Sequence, residues 1–527
     1  MSIEERAYAR RWLILLVLCL SLVIITLDNT ILNVAIPTLV RELGATNSQL
    51  QWMIDSYTLV FAGLLLTAGS LGDRFGRKGA LQIGLGIFAL GSLASALAET
   101  PNQLIATRAL MGIGGAFIMP ATLSILTNVF PAEERARAIG VWAGVSGLGV
   151  AIGPLLGGYL IDHFSWGSIF TVNLPIAAVA VLAGGLIVPS SKDPSAPKLD
   201  PLGALLSIVG LVALVYGLIE APQAGWGSSE ILIAFAVAVL TLGLFVAWEL
   251  HVEEPMLDVS FFKNPRFTAA SSAITLVFFA MFGFSFLFTQ YFQFVLGYSA
   301  MRTGVYQLPL ALTVMVTAPT SARIVEKLGS KKVVAAGLTL VSVAMLLCTQ
   351  LEVDSAYSTI VWRMMLLAFG MGLTMAPATE SVMGSLPLAK AGVGSAVNDT
   401  TRQIGGALGI AIIGSVLSSV YGERIVELFG GKGLPARAVD AAQNGLGEAL
   451  YVANRVAEFS PELGAKLASG ADAAFVSAMH GGSFVAAIAA ALGAVVVLLF
   501  LPAHAHPEKV GTKAVGKVEE IDVVRLP

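Results

Sequence analysis

Charge is what this chain has least of. Asp, Glu, Lys and Arg make up 12% of its 527 residues, about half the share of an ordinary soluble domain, which excludes a soluble globular protein. The few charges nearly cancel, 31 basic against 34 acidic, and no basic, aromatic-laced patch marks a nucleic-acid partner. The only cysteines, Cys19 and Cys348, lie inside apolar runs. One such pair excludes a disulfide framework, and both read as small buried hydrophobes. His504 and His506 have no further ligands near them in the sequence, so no metal site is expected. A Gly-rich phosphate loop with Lys-Ser/Thr, a Ser nucleophile elbow and a metal-ligand cluster are all missing. Enzyme chemistry and nucleotide-driven pumping therefore have no residues to carry them, and no cofactor is expected.

Long apolar runs take their place. The chain is 56% hydrophobic with 55 glycines, as expected of membrane helices that pack through small residues. Runs of roughly 18–25 apolar residues begin near Trp12, Gln49, Leu81, Gln103, Ala138, Ile169, Leu202, Ile231, Ala270, Val305, Val333, Thr359, Ala396 and Val476. This is an all-α integral membrane protein of fourteen spans. Lys and Arg gather in alternate connections: Arg6, Arg10 and Arg11; Arg74, Arg77 and Lys78; Arg135 and Arg137; Lys192 and Lys198; Lys263 and Arg266; Lys327, Lys331 and Lys332; Lys390; and Lys509, Lys513 and Lys517. The positive-inside rule puts both termini in the cytoplasm. The polar stretch 421–475 is then an external connection, with a short amphipathic cap over the outer face and helical stretches such as Leu446 to Phe459.

A carboxylate interrupts the first run at Asp28. Near a bilayer centre it costs roughly 2.5–3.5 kcal/mol, so it marks a site for protons, ions or polar substrate by default. Asp28 lies about five residues from the outer end of span one, Asp55 about six into span two, and Arg108 about five into span four. At 1.5 Å per residue all three sit roughly 8–9 Å below the outer boundary, at a depth where they can share one polar cavity. Pairing that merely fixes helix packing is the alternative for Asp28 and Asp55. Asp399 and Arg402 begin the Ala396 span, where a carboxylate suits a positive helix N-terminus. Trp52, Tyr57, Phe278, Phe282, Phe286 and Tyr291 are candidates for an apolar cavity or, more ordinarily, for core.

The chain repeats itself. Asp73-Arg-Phe-Gly-Arg-Lys78 has an echo in Glu326-Lys-Leu-Gly-Ser-Lys331, 253 residues on, and Pro120-Ala-Thr-Leu-Ser-Ile-Leu126 has one in Pro377-Ala-Thr-Glu-Ser-Val-Met383, 257 on. The nearly equal offsets imply two parallel six-helix halves with two helices inserted between them. The second copy carries Glu380 where the first has Leu123. Glu380 sits toward the cytoplasmic end of its span, placed to receive a cation from inside or to pair near the boundary.

These motifs resemble a known family. Gly69-Ser-Leu-Gly-Asp73-Arg74-Phe-Gly76-Arg77-Lys78 resembles the loop signature of the major facilitator superfamily. Arg108-Ala-Leu-Met-Gly112-Ile-Gly-Gly115 is similar to its fourth-helix signature. Gly149-Val-Ala-Ile-Gly153-Pro154-Leu-Leu-Gly157-Gly158 resembles the fifth-helix signature of its antiporters. Leu27-Asp28-Asn-Thr-Ile-Leu-Asn33-Val-Ala-Ile-Pro37 resembles the first-helix signature of the fourteen-span drug:proton antiporters of QacA/EmrB type. In Phe164-Ser-Trp-Gly167-Ser168-Ile-Phe170, Gly167 and Ser168 stand where the family usually has an Arg between two aromatics.

The resemblance implies two six-helix bundles, at 12–190 and 269–502, joined through a linker at 191–268 with the inserted pair. Cytoplasmic segments at 1–11 and 503–527 flank them. It implies proton-coupled efflux of amphipathic, cationic or antibiotic-like drugs across the cytoplasmic membrane, by a monomer whose partners are drugs, protons and lipid and whose energy source is the proton gradient. Asp28, Asp55, Arg108 and Glu380 would handle proton and substrate. Gly69, Asp73, Arg74, Gly76, Arg77, Lys78 and Arg137 would form the cytoplasmic gate, with Asp73 pairing with neighbouring helix ends or Arg137. Gly149, Gly153, Pro154 and Gly157 would form the antiport stripe. A proton-linked importer on the same scaffold and a non-transporting sensor are the alternatives; the first predicts flux in the opposite direction and the second no gradient-driven flux.

Overall fold

The computed structural model describes residues 8–45, 47–193, 199–430, 434–443 and 445–502. Lys198 and the tail residues His504, His506, Lys509, Lys513 and Lys517 lie outside the described residues. All regular structure within them is helical. The helices are α1 (Arg11–Leu43), α2 (Asn47–Phe75), α3 (Arg77–Ala96), α4 (Pro101–Val129), α5 (Ala132–His163), the short α6 (Ser168–Thr171), α7 (Asn173–Ile187), α8 (Pro201–Ala224) and α9 (Ser229–Glu249). There follow α10 (Pro265–Gln290), α11 (Ala300–Leu328), α12 (Ser330–Cys348), α13 (Tyr357–Met383), α14 (Ala391–Phe429), α15 (Ala436–Gln443), α16 (Leu446–Ala457) and α17 (Pro461–Phe500). Among the described residues, thirteen helical segments are long and apolar enough to cross a membrane. The helix α5, at the place of the fifth expected span, is not one of them and packs between α1 and α11.

Two large hydrophobic cores form, with a small third cluster of Leu59, Ala62 and Val215 between α2 and α8. One joins α1 to α5 and α7 through residues such as Leu18, Leu22, Phe88, Leu104 and Phe170. The other joins α10, α12, α13, α14 and α17 through Phe267, Ile274, Val341, Met364 and Met479. The repeat is visible in the backbone. Between α2 and α3 the chain turns at Gly76 (φ 121°), and between α11 and α12 it turns at Gly329 (φ 81°), 253 residues on, each at a positive φ that favours glycine. The inserted helices pair with each other, and α8 lies in the crevice where α2 meets α14.

The stretch 421–475 differs from expectation. The membrane helices overrun it from both sides: α14 continues to Phe429 and α17 starts at Pro461, leaving only α15 and α16 between them. Hydropathy averaged over a window hides the cause. Tyr421, Ile425 and Phe429 form one buried stripe and Leu467, Ala471 and Phe475 another, each at four-residue spacing, so polar neighbours ride the outside of continuing helices. The amphipathic cap is present as α16, which packs on α17.

Candidate functional site

Arg108 enters from α4, which starts cleanly because Thr100 and Gln103 form a capping box around Pro101. Two turns in, its guanidinium pairs with Asp28 of α1. Asp28 is fully buried and Arg108 is 1% exposed. The Arg108 Nε also donates to the Met53 carbonyl at 3.1 Å, and its Cζ lies 4.6 Å from the Tyr57 ring centroid. Asn173 of α7 also lies beside Asp28, its Nδ2 donating to Ser92 Oγ at 3.1 Å. Asp28 Oδ1 and Asn173 Oδ1 are both buried without a hydrogen bond. A bare carboxylate oxygen in hydrocarbon is costly, and a proton on Asp28 would relieve it. Asn173 carries no charge and no motif, so nothing in the sequence singled it out for this site, and Tyr57 was a candidate only as a cavity or core aromatic.

Asp55 does not join the pair. It is two residues beyond Met53, and two residues turn a helix by roughly 200°. If the Met53 carbonyl meets Arg108, the Asp55 side chain faces away. It lies instead beside Gln51 and Glu220 of α8. Equal depth brought three charges level, but azimuth separates them into two sites.

The glycine stripe explains how α1 is held. A Cβ on Gly149 would collide with the Thr26 side chain, and one on Gly153 with Thr30; Gly157 is buried in the same row. Pro154 lies within α5, its side chain outside the described residues. Thr26 and Thr30 flank Asp28 and face α5, which turns Asp28 toward α4. We expect Gly153→Val to strain this contact by about 1–3 kcal/mol and Gly153→Ala by less. Thermal unfolding of the purified variants in detergent, compared with unaltered protein, checks the order.

At the opposite end of α2, Asp73 is sealed between the two halves. Its oxygens accept the backbone N–H groups of Gly392 at 2.8 Å and Val393 at 3.0 Å, the first turn of α14, where a carboxylate meets the helix dipole. Arg77 bonds Asp73 at 2.8 Å and donates to the Leu388 and Ala389 carbonyls, each at 2.8 Å. Gly69 and Gly392 allow this approach; a Cβ on Gly392 would lie 2.6 Å from Asp73 Cγ. Of the two partners expected for Asp73, the helix end is the one it takes. Arg137 lies over the Trp12 ring, 5.2 Å from its centroid. Arg74 lies over Phe75, and Lys78 donates to the Gly185 carbonyl at 2.7 Å.

Residues 18–410 match the Major Facilitator Superfamily. The chain belongs to that superfamily. It is 33% identical over 493 residues to the multidrug efflux pump LfrA of Mycolicibacterium smegmatis, covering 93% of this chain and 96% of that one. It is 35% identical over 455 residues to the methyl viologen resistance protein SmvA of Salmonella typhimurium, 84% and 90% of the two chains. The tetracenomycin C resistance and export protein of Streptomyces glaucescens is 32% identical over 427 residues, 81% and 79%. In fold it resembles the human organic anion transporter MFSD10, with a TM-score of 0.58 at 16% identity over 93% of this chain and all of that one. It also resembles a bacterial homologue of the lysosomal transporter Spinster, at 0.57 and 19% over 94% and 99%. The protein is therefore a multi-pass membrane transporter of the superfamily.

Within this transporter, the remaining candidate charges distribute unevenly. Glu380 pairs with Arg266 Nη2 at 3.3 Å, both partly exposed, near the Asp73 end. Asp399 departs from its expected place at a helix start. The helix α14 begins at Ala391, so Asp399 lies more than two turns inside it and is 1% exposed. It pairs with Arg402 at 3.7 Å, whose Cζ lies 4.8 Å from the Trp142 ring of the other half. The candidate aromatics serve different contacts. Tyr57 sits by Arg108, Phe278 by Arg402, Phe282 and Phe286 against Gly406 and Gly414, and Tyr291 on the Glu352 carbonyl. Trp52 stacks on Tyr216 of α8.

Proposed function

We propose that this transporter exports amphipathic, cationic or antibiotic-like molecules in exchange for protons, as a fourteen-span carrier of QacA/EmrB type. The observation that carries the reading is the fully buried Asp28–Arg108 pair with one carboxylate oxygen left unbonded. Ionised, Asp28 balances Arg108 and ties α1 to α4. Protonated, it can donate from Oδ1 and frees Arg108 from its counter-ion. A proton then changes how two helices of one half are held, which is what coupling to alternating access requires. Relatives named for multidrug efflux, methyl viologen resistance and antibiotic export favour drugs as cargo over a nutrient. The positive-inside pattern supports cytoplasmic termini, and export out of the cell calls for the cytoplasmic membrane. The Asp73–α14 contact is then the inner gate, drawn shut.

Everted vesicles containing the protein should accumulate ethidium when an inside-acid gradient is imposed, and a protonophore should abolish the uptake. Ethidium uptake that persists without the gradient would reject proton coupling, and gradient-driven movement the other way would indicate an importer. We also expect Asp55→Asn to lower export of cationic substrates more than of neutral ones, because it removes a negative charge outside the Arg108 pair. Equal losses in a two-substrate vesicle assay would count against a substrate-charge role.

A further inference from the structure

Three carboxylates run in a row where α2 packs against the inserted helices, Asp55 beside Glu220 and Glu220 beside Glu230, and among the described residues none of them has a recorded ion pair. On α2, Gln51, Trp52 and Asp55 face α8, where Tyr216 and Glu220 stand one turn apart; Glu230 lies in the first turn of α9. Gln51 Nε2 donates to Glu220 Oε1 at 3.4 Å, and its amide also bonds Asp55. The Tyr216 hydroxyl donates to Glu230. The Trp52 and Tyr216 rings stack with centroids 6.3 Å apart.

The second observation is a group aimed at nothing. Asp55 is only 9% exposed, and its Oδ2 is buried with no hydrogen-bond partner. Carboxylates in a membrane segment ordinarily pair with a cation or face a functional cavity. A groove adjoins one end of this row, at Tyr216 and Glu230, while Asp55 and Glu220 stand beyond its lining. It has a volume of about 720 Å³ and runs between α8 and α9. Ile208, Val212, Ile233 and Val237 line it, with Tyr216 and Glu230 toward the end nearest the α8–α9 turn. Its size suits a drug-sized body. A hard metal ion does not suit it, since such ions need six or more oxygen ligands and the described residues include no cluster able to hold one. Aromatic faces beside carboxylates favour a diffuse organic cation.

We propose that this junction is a binding site for a monovalent lipophilic cation, its apolar body in the α8–α9 groove and its charge among Glu230, Glu220 and Asp55 against the Trp52–Tyr216 rings. The inserted helices thereby gain a task beyond spacing the two halves: they supply two of the three carboxylates and the groove. The site rests on the efflux reading only in making the cation cargo, and binding is measurable with no gradient present.

Equilibrium dialysis of the purified full-length protein in detergent with tetraphenylphosphonium tests it. Saturable binding to the unaltered protein should weaken about tenfold in the Glu220→Gln, Glu230→Gln double variant. These side chains are part-buried and exposed, so near-isosteric changes there leave the fold intact. Glu220→Lys should abolish binding, whereas neutral triphenylphosphine oxide should bind no differently to any form. An unchanged dissociation constant in the double variant overturns the site, whatever export does. So does binding that phosphatidylethanolamine displaces while phosphatidylglycerol does not, since a lipid ammonium would then be the occupant. Saturable, carboxylate-dependent binding without gradient-driven export would keep the site and reject the efflux reading.

Discussion

Asp28→Asn should reduce gradient-driven ethidium export in everted vesicles to background, on the order of a 100-fold loss, while the protein still inserts. The side chain keeps its shape, so packing against α4 and α5 survives. What disappears is the negative charge opposite Arg108, in a site where neither residue reaches solvent. Removing one partner of a buried pair costs about 3–5 kcal/mol of stability, so insertion is checked separately, and the loss of export follows from the missing proton site. Asparagine also cannot alternate between charged and neutral forms, so the variant is held permanently near the protonated arrangement. Downhill exchange of preloaded dye, which needs no proton, should persist more strongly than gradient-driven uptake. If both fall equally, Asp28 serves packing alone; if neither falls, it has no part in coupling.

Asp73→Asn should open the other end of the molecule. The carboxylate binds the first turn of α14 through two backbone N–H groups and holds Arg77, itself 1% exposed. An amide oxygen can accept one of those bonds but cannot balance the guanidinium, and the uncompensated charge again costs about 3–5 kcal/mol. This contact joins the two halves, so its loss weighs against whichever state keeps them together. We expect a cysteine at Ser395, fully buried in the first turns of α14, to react with an impermeant maleimide at least about tenfold faster when Asp73 is Asn. Cys19 and Cys348 are buried and add little background. An unchanged rate would mean that Asp73 only caps a helix.

The two sites differ in how far they were legible beforehand. The Asp73 loop was readable because it resembles a family signature, because its pairing with Arg77 is one turn away, and because the chain turns at Gly76 with a positive φ. The partner across the interface, the start of α14, carries small residues with no motif, so only the fold reveals it. Asp28 and Arg108 were rightly placed at one depth. Asp55 was placed with them for the same reason, yet it faces α8. Asp399 seemed to start a helix because the apolar run seemed to start there, whereas Gly392, Gly394 and Ser395 are helical and buried.

Hydropathy, charge bias and short repeats run along the chain, and by themselves they determined what lies along it: a succession of membrane-spanning helices, a repeated loop with a glycine turn, and the level of Asp28 with Arg108. Only the tertiary structure decided direction. A helix turns roughly 100° per residue, so residues level in the membrane point at different neighbours, and which neighbour stands there depends on packing between distant segments. That rotation gives Asp28 to Arg108, gives Asp55 to Glu220, and sets Gly149 and Gly153 against the threonines either side of Asp28.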